Sequence, residues 1–335
     1  MNHQWTIMTD ELNVSLNTAD YTCIYTGISP TGKYLQQLIT AYLQPRTKLK
    51  DEVRIYDHLD EADLTHQHYF AVPFSGADIM QEETLAAKSN MKQQVKEKLL
   101  NQLEGQGYLV TINSLIEDYL NMIEEDFDLD HQGLTVDDLI KQSTLNLSAT
   151  MDHSDKYYEK YTSLLDKMVR HIPRKGASSP LLVLDHPENH LSAKLQIELH
   201  QKILEYSQHM KIMVFSSSVH FSGETWRQNN LINQNEEQIL TLDFLEDLEW
   251  HAPMNYRMED LEKSLNMILK FYTDKFEIVP VISNCRSADI NVFSEMEIYT
   301  LIELLNKMNL QYDIDMDPSP LGEVIAKYIQ KHEKR

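Results

Sequence analysis

Short apolar runs and longer amphipathic stretches alternate along this chain in a way that separates it into three stretches. From Trp5 to Gly27 the sequence reads as short β-rich pieces ending in YTCIYTG, a buried strand. ISPTGK and a helical run, YLQQLITAYLQ, follow, and Pro45 stops the helix. VRIYDHL (53–59) and HYFAVPF (68–74) are further strand candidates. The pattern then changes, and from about Thr84 to Arg170 it is mostly polar and helix-forming. It predicts helices over Glu83–Leu103, ended by GQG at 105–107, over Tyr108–Glu125, and over Ser154–His171. Strand signals return in PLLVLDH (180–186), KIMVFSSS (211–218) and QILTLDF (238–244), with a helix over Ser192–Met210 between the first two.

The strands on either side of the helical stretch are too few to form a covered sheet separately, so pairing into one sheet is expected, with the helices projecting as a lobe. The fold class is then α/β: a head over 1–83 and 176–252, an inserted α-helical leg over 84–175, and a mainly helical C-terminal extension over 253–335. Within that extension VPVIS is a short strand candidate.

The composition supports a folded chain. Hydrophobic residues make up 42% of the 335 and charged residues 24%, enough apolar material for a core. Two distant cysteines, Cys23 and Cys285, make no disulfide framework and fit a reducing cytoplasm. The opening residues have neither a basic region nor an apolar run, and no stretch approaches a membrane span. A net charge of −22 repels phosphate backbones and anionic membranes, so any nucleic-acid contact needs locally gathered Lys and Arg.

Two motifs carry chemistry. GISPTGKY (27–34) follows a predicted strand and opens a predicted helix, the context of a phosphate-cradling loop, with Gly27 and Gly32 at the required spacing and Lys33 in the place of the phosphate-binding ammonium. The next position calls for a Ser or Thr hydroxyl on Mg²⁺, and Tyr34 stands there. LLVLDHPENHLS (181–192) ends an apolar strand in Asp185, suited to holding Mg²⁺ through water. Where ABC-type and SMC-type ATPases place a catalytic Glu next to that Asp, this chain has His186. It also lacks a Leu-Ser-Gly-Gly-type signature, and IMVFSSSV ends in serines where a switch histidine is usual. Together the motifs describe a degenerate P-loop head from which ATP turnover is not expected.

Such a head, interrupted by a helical lobe in a very acidic chain, resembles the Csn-two family of type II-A CRISPR adaptation proteins. VRIYDHL, HYFAVPFSGADIM, MIEEDFDLDHQGLTVDDLIK and PLLVLDH occur in that family's order, over roughly residues 1–245, and the remainder is similar to the extension of its long form. The resemblance implies a non-catalytic SMC-like protein that forms a homotetrameric ring and binds ends of linear double-stranded DNA. It also implies support for spacer acquisition beside the Cas integrase and effector nuclease, with Ca²⁺ as a possible organiser of the ring.

The residues offer places for both ligands. Lys88, Lys92 and Lys96 recur every four residues, with Lys98 nearby, and form one helical stripe. Lys160, Lys167, Arg170, Arg174 and Lys175 form a second basic group. No aromatic interleaving accompanies them, which favours duplex backbone over single strands. Solvated helix faces are the plainer alternative. Glu124, Glu125, Asp126, Asp128 and Asp130 supply hard oxygen ligands suited to Ca²⁺, without the spacing of an EF-hand, and a solvated acidic loop reads equally well. His66 with His68, and His186 with His190, are weaker metal candidates. Two other functions remain open: a DNA-stimulated ATPase recruiting His186 or Glu188 for water, and an interaction scaffold that never meets DNA.

Overall fold

Segments apolar at every position, with no polar alternation, belong in the middle of a parallel sheet covered on both faces. CIY, LLVL and IMVF behave this way. In chain order the strands and first helix of the head are β1 (His3–Met8), β2 (Asn13–Thr18), β3 (Tyr21–Tyr25), α1 (Thr31–Tyr42), β4 (Arg54–Asp57), β5 (Ala62–Asp63) and β6 (Tyr69–Ser75). The helical stretch holds α2 (Asn90–Leu99), prolonged by a π-helical turn (Leu100–Glu104), then α3 (Tyr108–Ile123), α4 (Val136–Lys141) and α5 (His153–His171). The head resumes with β7 (Ser179–Asp185), α6 (Ala193–Ser207), β8 (Lys211–Ser216), β9 (Asn229–Leu231) and α7 (Leu242–Trp250). The chain continues through α8 (Met258–Tyr272), β10 (Val281–Ser283), β11 (Ile290–Asn291), α9 (Glu295–Lys307), β12 (Asp313–Asp315) and α10 (Glu323–His332). This computed structural model describes residues 3–76, 79, 85, 90–104, 107–123, 133–141, 143, 153–172, 178–285 and 288–332.

The main sheet has the order β6-β7-β8-β3-β9, and β7, β8, β3 and β9 run parallel. Leu181 to Leu184 and Ile212 to Phe215 are wholly buried. Each such side chain contributes about 1.5–3 kcal/mol by leaving water. The expectation of a single sheet is corrected: β1 and β2 pair with β4 and β5 in a separate antiparallel sheet of order β2-β1-β4-β5. Trp5 joins the two layers. Its indole nitrogen donates to buried Asp57 at 2.9 Å, and the Lys211 ammonium at the start of β8 lies 5.3 Å from its ring centroid. Burial pushes the Lys211 pKa down, and nearby Asp20 and Asp57 oppose that shift.

A second correction concerns QILTLDF. Only Gln238 bridges, to Ile232, and the Thr241 hydroxyl then caps α7 by accepting from the Phe244 amide at 3.2 Å. The edge strand is instead β9, Asn-Asn-Leu. Its backbone pairs with β3, and the Asn230 side chain adds bonds to β2, accepting from the Asn17 amide at 2.8 Å and donating to the Asn17 carbonyl at 3.0 Å.

Two compact units result, Met1–Phe74 with Arg174–Arg335, and Ser75–Pro173. In the first, the C-terminal residues do not form a core of their own. Tyr25, Leu231, Leu240 and Phe244 of the head share one buried cluster with Leu265, Ile268, Leu301, Leu305 and Ile329. A small parallel sheet, β11-β10-β12, completes that side. In the second unit, α5 buries Tyr161, Leu164, Leu165 and Met168, the i, i+3, i+4, i+7 stripe of an amphipathic helix.

Candidate functional site

β3 delivers the chain to the phosphate-type loop, where the Thr26 amide still bonds to the Ser216 carbonyl of β8 at 3.0 Å. The loop closes on itself. The Ser29 hydroxyl donates to the Thr31 hydroxyl at 2.9 Å and accepts from the Thr31 amide at 3.3 Å, while the Gly32 amide reaches the Ser29 carbonyl at 3.4 Å. Gly32 is required by space: a Cβ there would fall 2.8 Å from Thr26 Cγ2. Lys33 and Tyr34 begin α1 with their side chains exposed. Tyr34 thus turns its phenol to solvent at the position where a metal-binding hydroxyl would stand. Gly27 meets an acid from far along the chain, since a Cβ on it would lie 1.9 Å from Glu277 Oε1. The Tyr25 hydroxyl donates to that same oxygen at 2.9 Å. Burial, then the Glu277 contact, pushes the Tyr25 phenol far up.

The acidic motif occupies the end of the neighbouring strand. Asp185 closes β7, and His186 follows in the left-handed region at φ 44°, its amide bonded to the Phe215 carbonyl at 2.8 Å. His186 Nδ1 lies 2.9 Å from Glu188 Oε1, and Nε2 lies 3.4 Å from Thr26 Oγ1. Glu188, with its side chain 10% exposed, is the hub of the site. Its Oε1 also accepts from the Ser217 amide at 2.8 Å and the Ser217 hydroxyl at 3.1 Å, and Oε2 accepts from Ser216 Oγ at 2.8 Å. Burial raises the Glu188 pKa, but the hydrogen bonds from His186 and the Ser217 amide outweigh it and hold the carboxyl below its usual range. The Glu188 hydrogen bond in turn lifts the His186 imidazole above its ordinary value, partly opposed by burial.

This explains the serines at the end of β8. Ser216 and Ser217 coordinate Glu188, and the Ser218 hydroxyl donates to Gln196 Oε1 at 2.6 Å. Glu188 has four donors around it and is a structural anchor, poorly placed to take a proton from water. Sequence reasoning did not assign it this role; the signal was the SSS run opposite the PENH loop. Both ring nitrogens of His186 have partners, Glu188 and Thr26. His68 Nδ1 sits 3.2 Å from both the Thr65 amide and the Thr65 hydroxyl.

In the helical unit the lysine stripe is only partly open. Lys96 Nζ reaches both carboxylate oxygens of Asp137, at the start of α4, at 2.9 Å each, and this contact lowers the Asp137 pKa. Lys92, Lys160 and Lys167 are half-buried and engaged, while Lys98 and Arg170 are exposed. Lys88, Arg174 and Lys175 lie outside the described residues, as do Glu124, Glu125, Asp126, Asp128 and Asp130. Just beyond that acidic run the chain returns to α3: the Asn113 side chain donates to the Leu134 carbonyl at 3.1 Å and accepts from the Leu134 amide at 2.7 Å, beside Gly133 at φ 76°. Among the described residues no three His, Cys, Asp or Glu side chains converge as a metal site. Nor, among them, is any helix long and apolar enough to cross a membrane.

Among the described residues of this unit, α3 carries an exposed apolar face. Val110 is 73% exposed and Leu115 63%, and Ile112, Leu115, Ile116 and Leu120 line one concave strip at helical spacing. A soluble helix seldom leaves such a face to water.

No family profile and no curated protein matches the sequence. Among solved structures, Stu0660 of Streptococcus thermophilus superposes over 97% of this chain and 99% of its own, with a TM-score of 0.61 and 16% identity. A nucleotide-free ATP-binding cassette from an ABC transporter covers 71% of this chain and 90% of its own, at 13% identity and a TM-score of 0.36. The SMC head domain from Thermotoga maritima covers 66% and 90%, at 11% identity and a TM-score of 0.33. Over 97% of its length this chain therefore shares the mixed α/β fold of Stu0660.

Proposed function

We propose that this chain is a non-catalytic, sequence-independent double-stranded DNA end-binding protein that assembles into a homotetrameric ring and supports CRISPR spacer acquisition, as in the Csn-two family it resembles. The observation that carries the non-catalytic part is Glu188. Glu188, the acid that an ATPase reading would recruit for water, is largely buried and held by His186, Ser216 and Ser217. The phosphate-type loop adds a second reason, since Tyr34 cannot reach back to a metal and Glu277 stands against Gly27. An SMC-like and ABC-like origin of the head agrees with the parallel sheet that joins both motifs, β7 and β3 flanking β8.

Assembly is supported by the apolar face of α3, which a second copy would cover. Binding to duplex rests on the exposed Lys98 and Arg170 together with the other basic residues of the helical unit. If four subunits each neutralise about two phosphates, affinity falls by about 10⁴ between 50 and 200 mM salt. On the inner face of a ring, such contacts are screened from the outer acids over about 8 Å. Ca²⁺ on the 124–130 carboxylates, and contacts with the Cas integrase and effector nuclease, belong to the same reading.

The test is a gel shift with linear and closed-circular duplex of one sequence, run beside an ATPase assay. Preference for linear DNA with no DNA-stimulated phosphate release is expected. Turnover that disappears in Lys33→Ala would establish the ATPase instead, and indifference to both DNA forms would leave a scaffold.

A further inference from the structure

Glu277 closes the 3-10 turn Thr273–Glu277 that follows α8. That turn is firmly seated. Phe276, 2% exposed, belongs to the core shared by the head and the C-terminal residues, and the Thr273 hydroxyl donates to the Leu269 carbonyl at 2.6 Å. From this base the Glu277 side chain lies along the backbone of Gly27. A Cβ on Gly27 would fall 1.9 Å from Oε1, 2.6 Å from Cδ and 2.9 Å from Cγ. Three consecutive side-chain atoms therefore occupy the space that the missing Cβ leaves, and the Tyr25 hydroxyl fixes the end of the chain through its 2.9 Å bond to Oε1.

A phosphate loop works by letting an anion come close to bare backbone, with a lysine beside it. Here Gly27, Gly32 and Lys33 keep the sequence spacing of such a loop, yet the space beside Gly27 already holds a carboxylate of the same chain. The carboxylate takes up room and repels a second anion. Tyr34 removes only the metal ligand; Glu277 acts on the phosphates themselves.

We propose that the C-terminal residues bar nucleoside triphosphates from the relic phosphate loop, with Glu277 as the blocking carboxylate and Tyr25 as its anchor. This gives the C-terminal residues a role at the head, and it holds or fails independently of whether the protein binds DNA.

The experiment is titration calorimetry on the full chain with Mg-ATP and, separately, with inorganic pyrophosphate. The wild type, Glu277→Ala, Glu277→Gln, and Glu277→Ala combined with Lys33→Ala are compared, each checked by its thermal melt. The wild type is expected to bind neither ligand at millimolar concentration. Glu277→Ala gains at least tenfold in affinity, and Lys33→Ala takes that gain away. Glu277→Gln, which keeps the bulk and the contact with Tyr25 while losing the charge, gains less. The proposal is overturned if Glu277→Ala binds no better than wild type, if its gain survives Lys33→Ala, or if the wild type already binds as tightly. Should Glu277→Ala not fold, Glu277→Gln decides: a measurable gain supports the proposal and none overturns it.

Discussion

Glu188 and His186 show how an ordinary pair of side chains can hold the centre of a sheet edge together. The carboxylate accepts four hydrogen bonds within a site that admits little water, so its removal strands donors on Ser216, Ser217 and His186. Replacing Glu188 with Ala is expected to cost about 3 kcal/mol of folding stability, and Gln less, read as a shift in urea midpoint. The pH dependence follows from the two directions. His186 has its pKa raised, so its contribution is complete below the ordinary value of 6.5 and is lost as pH rises through the raised one. Glu188 has its pKa lowered, so its contribution is complete above 4.5 and is lost as pH falls through the lowered one. The gap between wild type and Glu188→Gln should therefore be wider at a pH between 4.5 and 6.5 than in mild alkali. A gap that stays flat, or widens on the alkaline side, would show that the pair is not ionised in the fold. Of these residues the sequence made Asp185, His186 and the two loop glycines conspicuous through their place beside apolar strands. Glu277 had no such mark, because its partner Gly27 is 250 positions away and no periodicity links them.

Elements built on apolar runs were legible, and those built on side-chain amides were not. β7 and β8 appear in the sequence as the unbroken apolar runs LLVL and IMVF, and β3 as Cys23, Ile24 and Tyr25, whose side chains fill both faces of the sheet. Asn-Asn in β9 carries no apolar signal; its backbone pairs with β3, and the Asn229 and Asn230 side chains tie it further to the backbone of Gly223 and Asn17. QILTLDF misleads for the opposite reason. Ile239 and Leu240 are buried, as strand residues would be, yet Thr241 and Asp243 start a helix immediately after them. α3 poses a different question, for Leu109 is buried while Val110, Ile112 and Leu115 face water. Leu115→Asp on that face should dissociate the proposed homotetramer by light scattering while leaving the thermal transition of the subunit within about 0.5 kcal/mol of wild type, as for a surface position. An unchanged mass in solution would take α3 out of the contact between copies. By the same logic Lys96, already matched by Asp137, should matter less for duplex affinity than Lys98.

At the scale of the whole molecule the chain forms two compact units where the sequence pattern suggested three parts. The helical insertion stood out because helix-forming polar sequence replaces strands for some ninety residues. The C-terminal residues looked equally separable, since amphipathic helices such as MEDLEKSLNMILKFY do not say which surface their apolar stripe will cover. The structure supplies that surface: Leu265, Ile268 and Leu301 share a core with Tyr25, Leu240 and Phe244. Two deletions should therefore behave in opposite ways. Excising the segment between Ser75 and Ser178 and closing the gap with a short Gly-Ser linker removes a unit with its own buried stripe on α5, so the remainder should still melt in one cooperative step. Ending the chain after Ala252 leaves the head's half of a shared core facing water; each large apolar side chain so exposed costs about 1.5–3 kcal/mol, and a handful exceeds the 5–15 kcal/mol that holds a domain together. That truncated chain should lack a cooperative transition by calorimetry and should aggregate. If it stayed soluble and melted cooperatively, the C-terminal residues would be an appended module after all, and Glu277 would reach Gly27 from a domain free to leave it.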